Sequence, residues 1–167
     1  MVSQTRANDH MSQIDEEIVG FLNQNGIKYE LREHEPVYTA PQMAEYLGTS
    51  EQRIAKSMIL KKSDGGYVLA VLPGRLKIDF TRFAKIVGVE KVSLAPIPEA
   101  EKIARCSVGS VHPFGNLLNL NTYFDSHILT LDFVYFNPGL HTKSIKISTD
   151  DLVRVVKPTV TEFTRSN

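Results

Sequence analysis

Apolar positions recur along this chain with two different periods. Ile14, Ile18 and Leu22 fall four residues apart with Phe21 on the flank, which predicts a helix that Asn25-Gly26 terminates. Lys28–Glu33 alternates instead, with Tyr29 and Leu31 apolar, and predicts a strand. Thr39 and Gln42 stand at capping-box spacing and Pro41 lies in the first turn, where its missing N–H costs little. A helix over Ala40–Leu47, ending at Gly48, follows. Ser50 caps a short turn over Glu51–Ile54. Ala55–Lys62 and Tyr67–Leu72 read as hairpin partners across Asp64-Gly65-Gly66. Asp79–Val87 is amphipathic with helical period and closes at Gly88, and Pro98–Arg105 predicts a shorter helix. Cys106–Asn121 has no clear period and forms the longest irregular stretch. Ile128–Leu131 and Phe133–Phe136 read as strands, Asn137-Pro138-Gly139 as a turn, and Ser144–Ile147 as a strand. Ser148 and Asp151 then cap a last helix.

Strands and helices therefore mix without strict alternation. The expected class is α+β (mixed α/β): a central, mostly antiparallel mixed sheet flanked by helices. The 167 residues suit one domain, read over 14–163, with a disordered tail at 1–13 and a short tail at 164–167. Composition is that of a soluble globular chain, 42% apolar and 23% charged. A single cysteine, Cys106, excludes an intrachain disulfide and fits a reducing compartment. No apolar run approaches the roughly 18–20 residues that span a bilayer, and the polar first residues lack a signal-peptide core. The expected location is the cytoplasm, without a membrane partner. Net charge is zero, 19 basic residues against 19 acidic. A protein that tracks a long nucleic-acid backbone carries a basic excess, so an RNA partner would be held over a short piece only.

Two segments carry candidate chemistry. Lys56 shares a strand face with Met58 and Leu60. On an inward face its ammonium would meet an anion, a phosphate or a developing oxyanion; at the strand start it would snorkel to water. The loop Gly109-Ser110-Val111-His112-Pro113-Phe114-Gly115 allows close backbone approach, and its successive N–H groups can form an anion nest. His112 could act there as a base or stand as a solvent-facing loop residue. Cys106 could be a nucleophile or a small buried hydrophobe. His34, His112, His127 and His141 show no metal-ligand spacing, and no phosphate-loop motif occurs, so neither metal nor cofactor is expected.

Several pieces also stand in a telling order. His34-Glu35-Pro36-Val37-Tyr38-Thr39 precedes a short helix and Gly48. Ile54-Ala55-Lys56-Ser57-Met58-Ile59-Leu60 and Tyr67–Gly74 follow, then the Gly109–Gly115 loop, Asp125, and Phe136-Asn137-Pro138-Gly139. Over residues 14–163 this resembles the YbaK/prolyl-tRNA-synthetase-associated editing domain family. The resemblance implies a cleft between sheet and loop, and hydrolysis in trans of the aminoacyl ester of misacylated tRNA, chiefly tRNA for proline. It implies an essential lysine at Lys56 and a Gly-x-x-x-Pro loop at Gly109 to Pro113, with Gly109, Ser110, Val111 and His112 placing backbone donors. Asp125 and Gly139 match the family's later aspartate and glycine. Thr39, Ile59, Phe114 and Gly115 complete the expected substrate side. The expected partners are the 3′ acceptor end of aminoacyl-tRNA and a synthetase. Ser110 replaces the second glycine usual in the loop, and Cys106-Ser107-Val108 replaces a Thr-Gly pair. These departures leave alanine, cysteine and serine open as the amino acid removed. A non-catalytic module that holds a tRNA end or a synthetase is the alternative.

Overall fold

The computed structural model describes residues 14–166; the tail read at 1–13 lies outside them. Helix α1 covers 14–24, and Ile14, Ile18 and Leu22 are all but fully buried along one stripe, as the four-residue spacing requires. Each such side chain contributes roughly 1.5–3 kcal/mol. Helices α2 (Ala40–Leu47), α3 (Phe80–Val87), α4 (Ile97–Ala104) and α5 (Thr149–Val156) follow. Local signals explain their starts. The Thr39 hydroxyl accepts from Gln42 N at 3.2 Å, Asp79 caps α3 through Arg82 N at 3.0 Å, and Ser148 caps α5 through Asp151 N at 3.1 Å.

Among the described residues ten strands form three sheets. The first runs β1 (Tyr29–Glu33), β8 (Lys143–Ser148), β7 (Phe133–Phe136). The second runs β5 (Val92–Leu94), β2 (Ala55–Lys62), β3 (Tyr67–Pro73), β6 (Asn121–Asp125), β9 (Thr159–Thr161). β4 (Lys77–Ile78) and β10 (Thr164–Arg165) make a two-stranded third. The fold is thus mixed α/β with antiparallel pairing dominant, while β3–β6 and β6–β9 run parallel. β3 is buried along almost its whole length, the mark of a central strand covered on both faces. One face of the five-stranded sheet packs Ala55, Ile59, Leu69, Val71 and Phe124 against α1 and the first sheet. The other packs Leu60, Val68, Ala70 and Leu72 against Phe83 and Phe163.

Two expectations are corrected. Ile128–Leu131 lies in a 3-10 turn (Ser126–Thr130), not a strand, because the Asp125 carboxylate caps that turn at His127 N, 3.0 Å away. The strand of this region is β6, just before it. Ordered pairing also continues past residue 163, where Thr164 and Arg165 join β4.

Candidate functional site

β5 accompanies β2 only from Leu60 to Lys62. Among the described residues, no strand pairs with that side of β2 over Lys56–Met58, and a cleft opens along this free edge. The opposite wall is the 3-10 turn Val108–Ser110 and Val111. One half of the cleft, about 210 Å³, is bounded by Tyr38, Thr39, Lys56 and Asn137. The other, about 290 Å³, is bounded by Ile59, Leu94, Ile97 and Ala100. Ser57, Met58, Val108, Gly109 and Val111 border both halves. The first half is the more polar of the two, and the second is almost wholly apolar.

Lys56 sits where the strand reading placed it. Its Nζ donates to Gly74 O at 3.3 Å. Burial pushes its pKa below the ordinary lysine value, Lys77 adds to that, and the Glu51 carboxylate opposes it. With one carbonyl for a partner, the ammonium keeps donors free for an anion. Across the cleft, Val108 N is taken by Glu101 Oε2 at 3.1 Å and Ser110 N by Ser107 O at 2.9 Å. The Gly109 and Val111 N–H groups have no acceptor among the described residues. Gly109 is glycine for reasons of space: a Cβ there would stand 3.1 Å from His141 Cε1. Ser57 is buried and its Oγ has no partner, although it borders both halves of the cleft.

The remaining residues singled out from sequence lie behind this surface. His112 is fully buried; its Nδ1 accepts from Phe114 N at 3.1 Å and its Nε2 is unpartnered. Burial lowers its pKa to about 3, with Arg105 adding to the effect, so the ring is neutral and sealed from solvent. That removes it as a base facing the cleft. Pro113 is buried, and Phe114 is at 0% exposure, packed edge-on against Phe21 and Phe136. Phe114 is therefore core and not a pocket wall. A Cβ on Gly115 would overlap Thr122 Oγ1, so this glycine seats the loop on β6. Ser110 is buried, its hydroxyl donating to Ser107 O at 3.0 Å. Cys106 is core as well, and burial pushes its thiol up to about 11, which removes the nucleophile.

Asp125 does not reach the cleft. Fully buried, it accepts from His127 N and Nδ1, Phe163 N and Thr164 Oγ1, at 2.6 to 3.0 Å. It ties the end of the chain to β6. Gly139 (φ 89°) donates its N–H to Ser110 O at 3.0 Å and holds the loop from behind; a Cβ there would strike Ile14. Among the described residues, no three His, Cys, Asp or Glu side chains are grouped to hold a metal ion, and no helix is long and apolar enough to cross a membrane.

Sequence reasoning missed Tyr38, Ser57, Asn137 and His141 as parts of the site. Tyr38 and His141 stack at 4.7 Å between centroids although 103 positions separate them. No local spacing signals that pairing.

Comparison with known proteins identifies a family and a shared fold. Residues 34–155 match the aminoacyl-tRNA editing domain family. The chain is 28% identical over 153 residues to the multifunctional Ser/Thr-tRNA deacylase ProXp-y of Escherichia coli K12, covering 89% of this chain and 92% of that one. It is 28% identical over 145 residues to the prolyl-tRNA editing protein ProX of Acetoanaerobium sticklandii, covering 84% and 88% respectively. In fold it is similar to the crystal structure of the hypothetical protein APE2540, with a TM-score of 0.83, 24% identity, and coverage of 89% of this chain and 99% of that one.

Proposed function

We propose, from the premise that this chain belongs to the aminoacyl-tRNA editing domain family, that it hydrolyses the ester joining a small amino acid to the 3′ end of a wrongly charged tRNA. It acts in trans as an aminoacyl-tRNA deacylase. One observation carries the chemistry: the half-buried ammonium of Lys56 and the backbone of Gly109 and Val111, whose N–H groups have no acceptor among the described residues, line a single cleft.

Ester hydrolysis passes through a tetrahedral intermediate whose oxygen becomes negative. Donors fixed in advance stabilise that charge without reorganising at the moment of reaction. Gly109 and Val111 N–H supply them. Water adds to the carbonyl carbon, the carbon–oxygen bond to the ribose breaks, and the products are a free amino acid and an intact tRNA end. Lys56 holds the terminal phosphate and ribose or places the water. Cys106 and His112, both sealed in the core, take no part, and the neighbouring ribose hydroxyl carries the proton from water to the leaving oxygen.

The two halves of the cleft divide the substrate. The polar half beside Lys56 and Thr39 receives the nucleotide end, and the apolar half beside Ile59 and Val111 receives the side chain. An apolar wall of this kind excludes bulky residues by size and leaves small ones, Ala, Cys or Ser. The Ser57 hydroxyl at the junction gives a hydroxyl- or thiol-bearing side chain something to bond. The substrate is found where translation occurs, in the cytoplasm, and a synthetase partner would supply the choice of tRNA.

The test is a panel of tRNAs charged with alanine, serine, threonine, cysteine or proline, incubated with the protein in the presence of EDTA. Release of a small noncognate amino acid, with the tRNA left intact, is the expected result. Binding of the charged tRNA with no release on any member of the panel would show a holding module instead of a deacylase.

A further inference from the structure

A groove leads out of the cleft on the far side of Tyr38. It runs between the Pro36–Tyr38 segment and helix α2 and ends at Tyr46. Tyr38 borders both the cleft and this groove and is the residue they share. Both tyrosines are open to solvent, at 62% and 50% exposure. Each ring is braced from behind by a histidine, Tyr38 by His141 at 4.7 Å and Tyr46 by His34 at 4.9 Å between centroids. The histidines are themselves fixed. His34 Nδ1 donates to Glu35 O at 2.7 Å and its Nε2 bonds Ser144 Oγ at 2.6 Å, while His141 Nδ1 lies 3.1 Å from Val37 O. Large aromatic faces held rigid and exposed lose little entropy when a flat ligand covers them.

We infer that this groove binds the unpaired 3′ end of the tRNA, with Tyr38 and Tyr46 as stacking platforms for its last bases. The inference rests on the function proposed above, which puts the terminal ribose in the polar half of the cleft beside Tyr38. Single-stranded RNA is held by aromatic faces as much as by charge, because every base presents a π-face. Tyr38 stands just before the Thr39 cap of helix α2 and Tyr46 lies in its last turn, and both border the one groove. Charge does not assist: the groove is bordered by one carboxylate, Glu45, and by no lysine or arginine, and the chain as a whole has no basic excess. The hold has to come from the base faces, with the phosphates turned to solvent.

Two measurements test this together. The first is the affinity of a 5′-labelled single-stranded RNA ending in CCA, read by fluorescence anisotropy for the wild type, Tyr38→Ala, Tyr46→Ala and Tyr46→Phe. The second is deacylation of aminoacyl-tRNA and of aminoacyl-adenosine, which lacks every nucleotide beyond the last. Tyr38→Ala and Tyr46→Ala are expected to weaken binding of the RNA by about ten-fold each, and Tyr46→Phe to bind as the wild type does. Tyr46→Ala is expected to raise KM for aminoacyl-tRNA by a similar factor with kcat near the wild-type value, and to leave aminoacyl-adenosine unaffected. Unchanged RNA affinity in both alanine variants overturns the inference, as does an equal loss on aminoacyl-adenosine with Tyr46→Ala. If the wild type cleaves neither ester, the functional reading falls, and the binding series still decides the groove.

Discussion

Val108–Val111 and His112–Gly115 are adjacent in sequence and opposite in environment. In the first half Val108 and Gly109 are exposed, Val108, Gly109 and Val111 border the cleft, and the N–H groups of Gly109 and Val111 have no acceptor among the described residues. The second half is buried throughout, its imidazole neutral and its phenyl ring locked between Phe21 and Phe136. On the proposed function one half meets the substrate, and the other anchors the loop to the core. The precision of the donors at Gly109 and Val111 comes from the packing of residues that never touch a substrate.

The contrast breaks most sharply at Phe114. Phe114→Ala should cost about 3–5 kcal/mol of stability, as deletion of a fully buried aromatic ring does, read as a lowered urea midpoint. Its deacylation rate per folded molecule, measured well below the melting temperature, should stay near the wild-type value.

Lys56→Ala is the mirror image. The rate should fall about 10²–10³-fold, the scale of losing one preorganised electrostatic contact, while the melting temperature does not drop. Burial disfavours the charged lysine, so removing it relieves a cost. On the proposed mechanism the working form is the ammonium. Activity should therefore fall as pH rises through a pKa below the ordinary lysine value of 10.5, and a pH–rate profile checks this.

His112 gives the anchoring half a pH signature. Its folded pKa of about 3 lies below the ordinary 6.5. Above 6.5 the ring is neutral in both states and the full stability is present. As pH falls from there towards about 3 the unfolded chain takes up a proton that the folded chain refuses, so stability declines across that window. Thermal melts from pH 7 to 4 should show the decline, and His112→Leu should flatten it. The smallest effect is expected at Gly109. Gly109→Ala presses on His141 and should slow deacylation by about ten-fold through misplaced donors, with stability nearly unchanged.

Much of this was legible in the sequence because the signals are local. Thr39, Asp79 and Ser148 announce their helices through caps that need only the next three residues. The Ala55–Lys62 and Tyr67–Leu72 hairpin follows from apolar runs and the Asp64-Gly65-Gly66 turn. The parity of β2 also put Lys56 on the face of Met58 and Leu60 before any fold was known. The loop could not be divided the same way. It has no period, so nothing in its residues tells which ones turn inward, as His112 and Phe114 do. β6 was hidden for a related reason: it pairs in parallel with β3, and parallel partners are joined by long connections, with no hairpin turn to mark them. Asp125 caps the next turn at His127, a local role, but its tie to Phe163 and Thr164, 38 and 39 positions away, has no local signal.

The most direct test of the account is single-turnover deacylation of one misacylated tRNA by the wild type and by Lys56→Ala, with thermal melts of both proteins. The account predicts rapid release by the wild type, a loss of about 10²-fold or more in the variant, and a variant that melts no lower. A folded Lys56→Ala protein that cleaves the ester at the wild-type rate would contradict it.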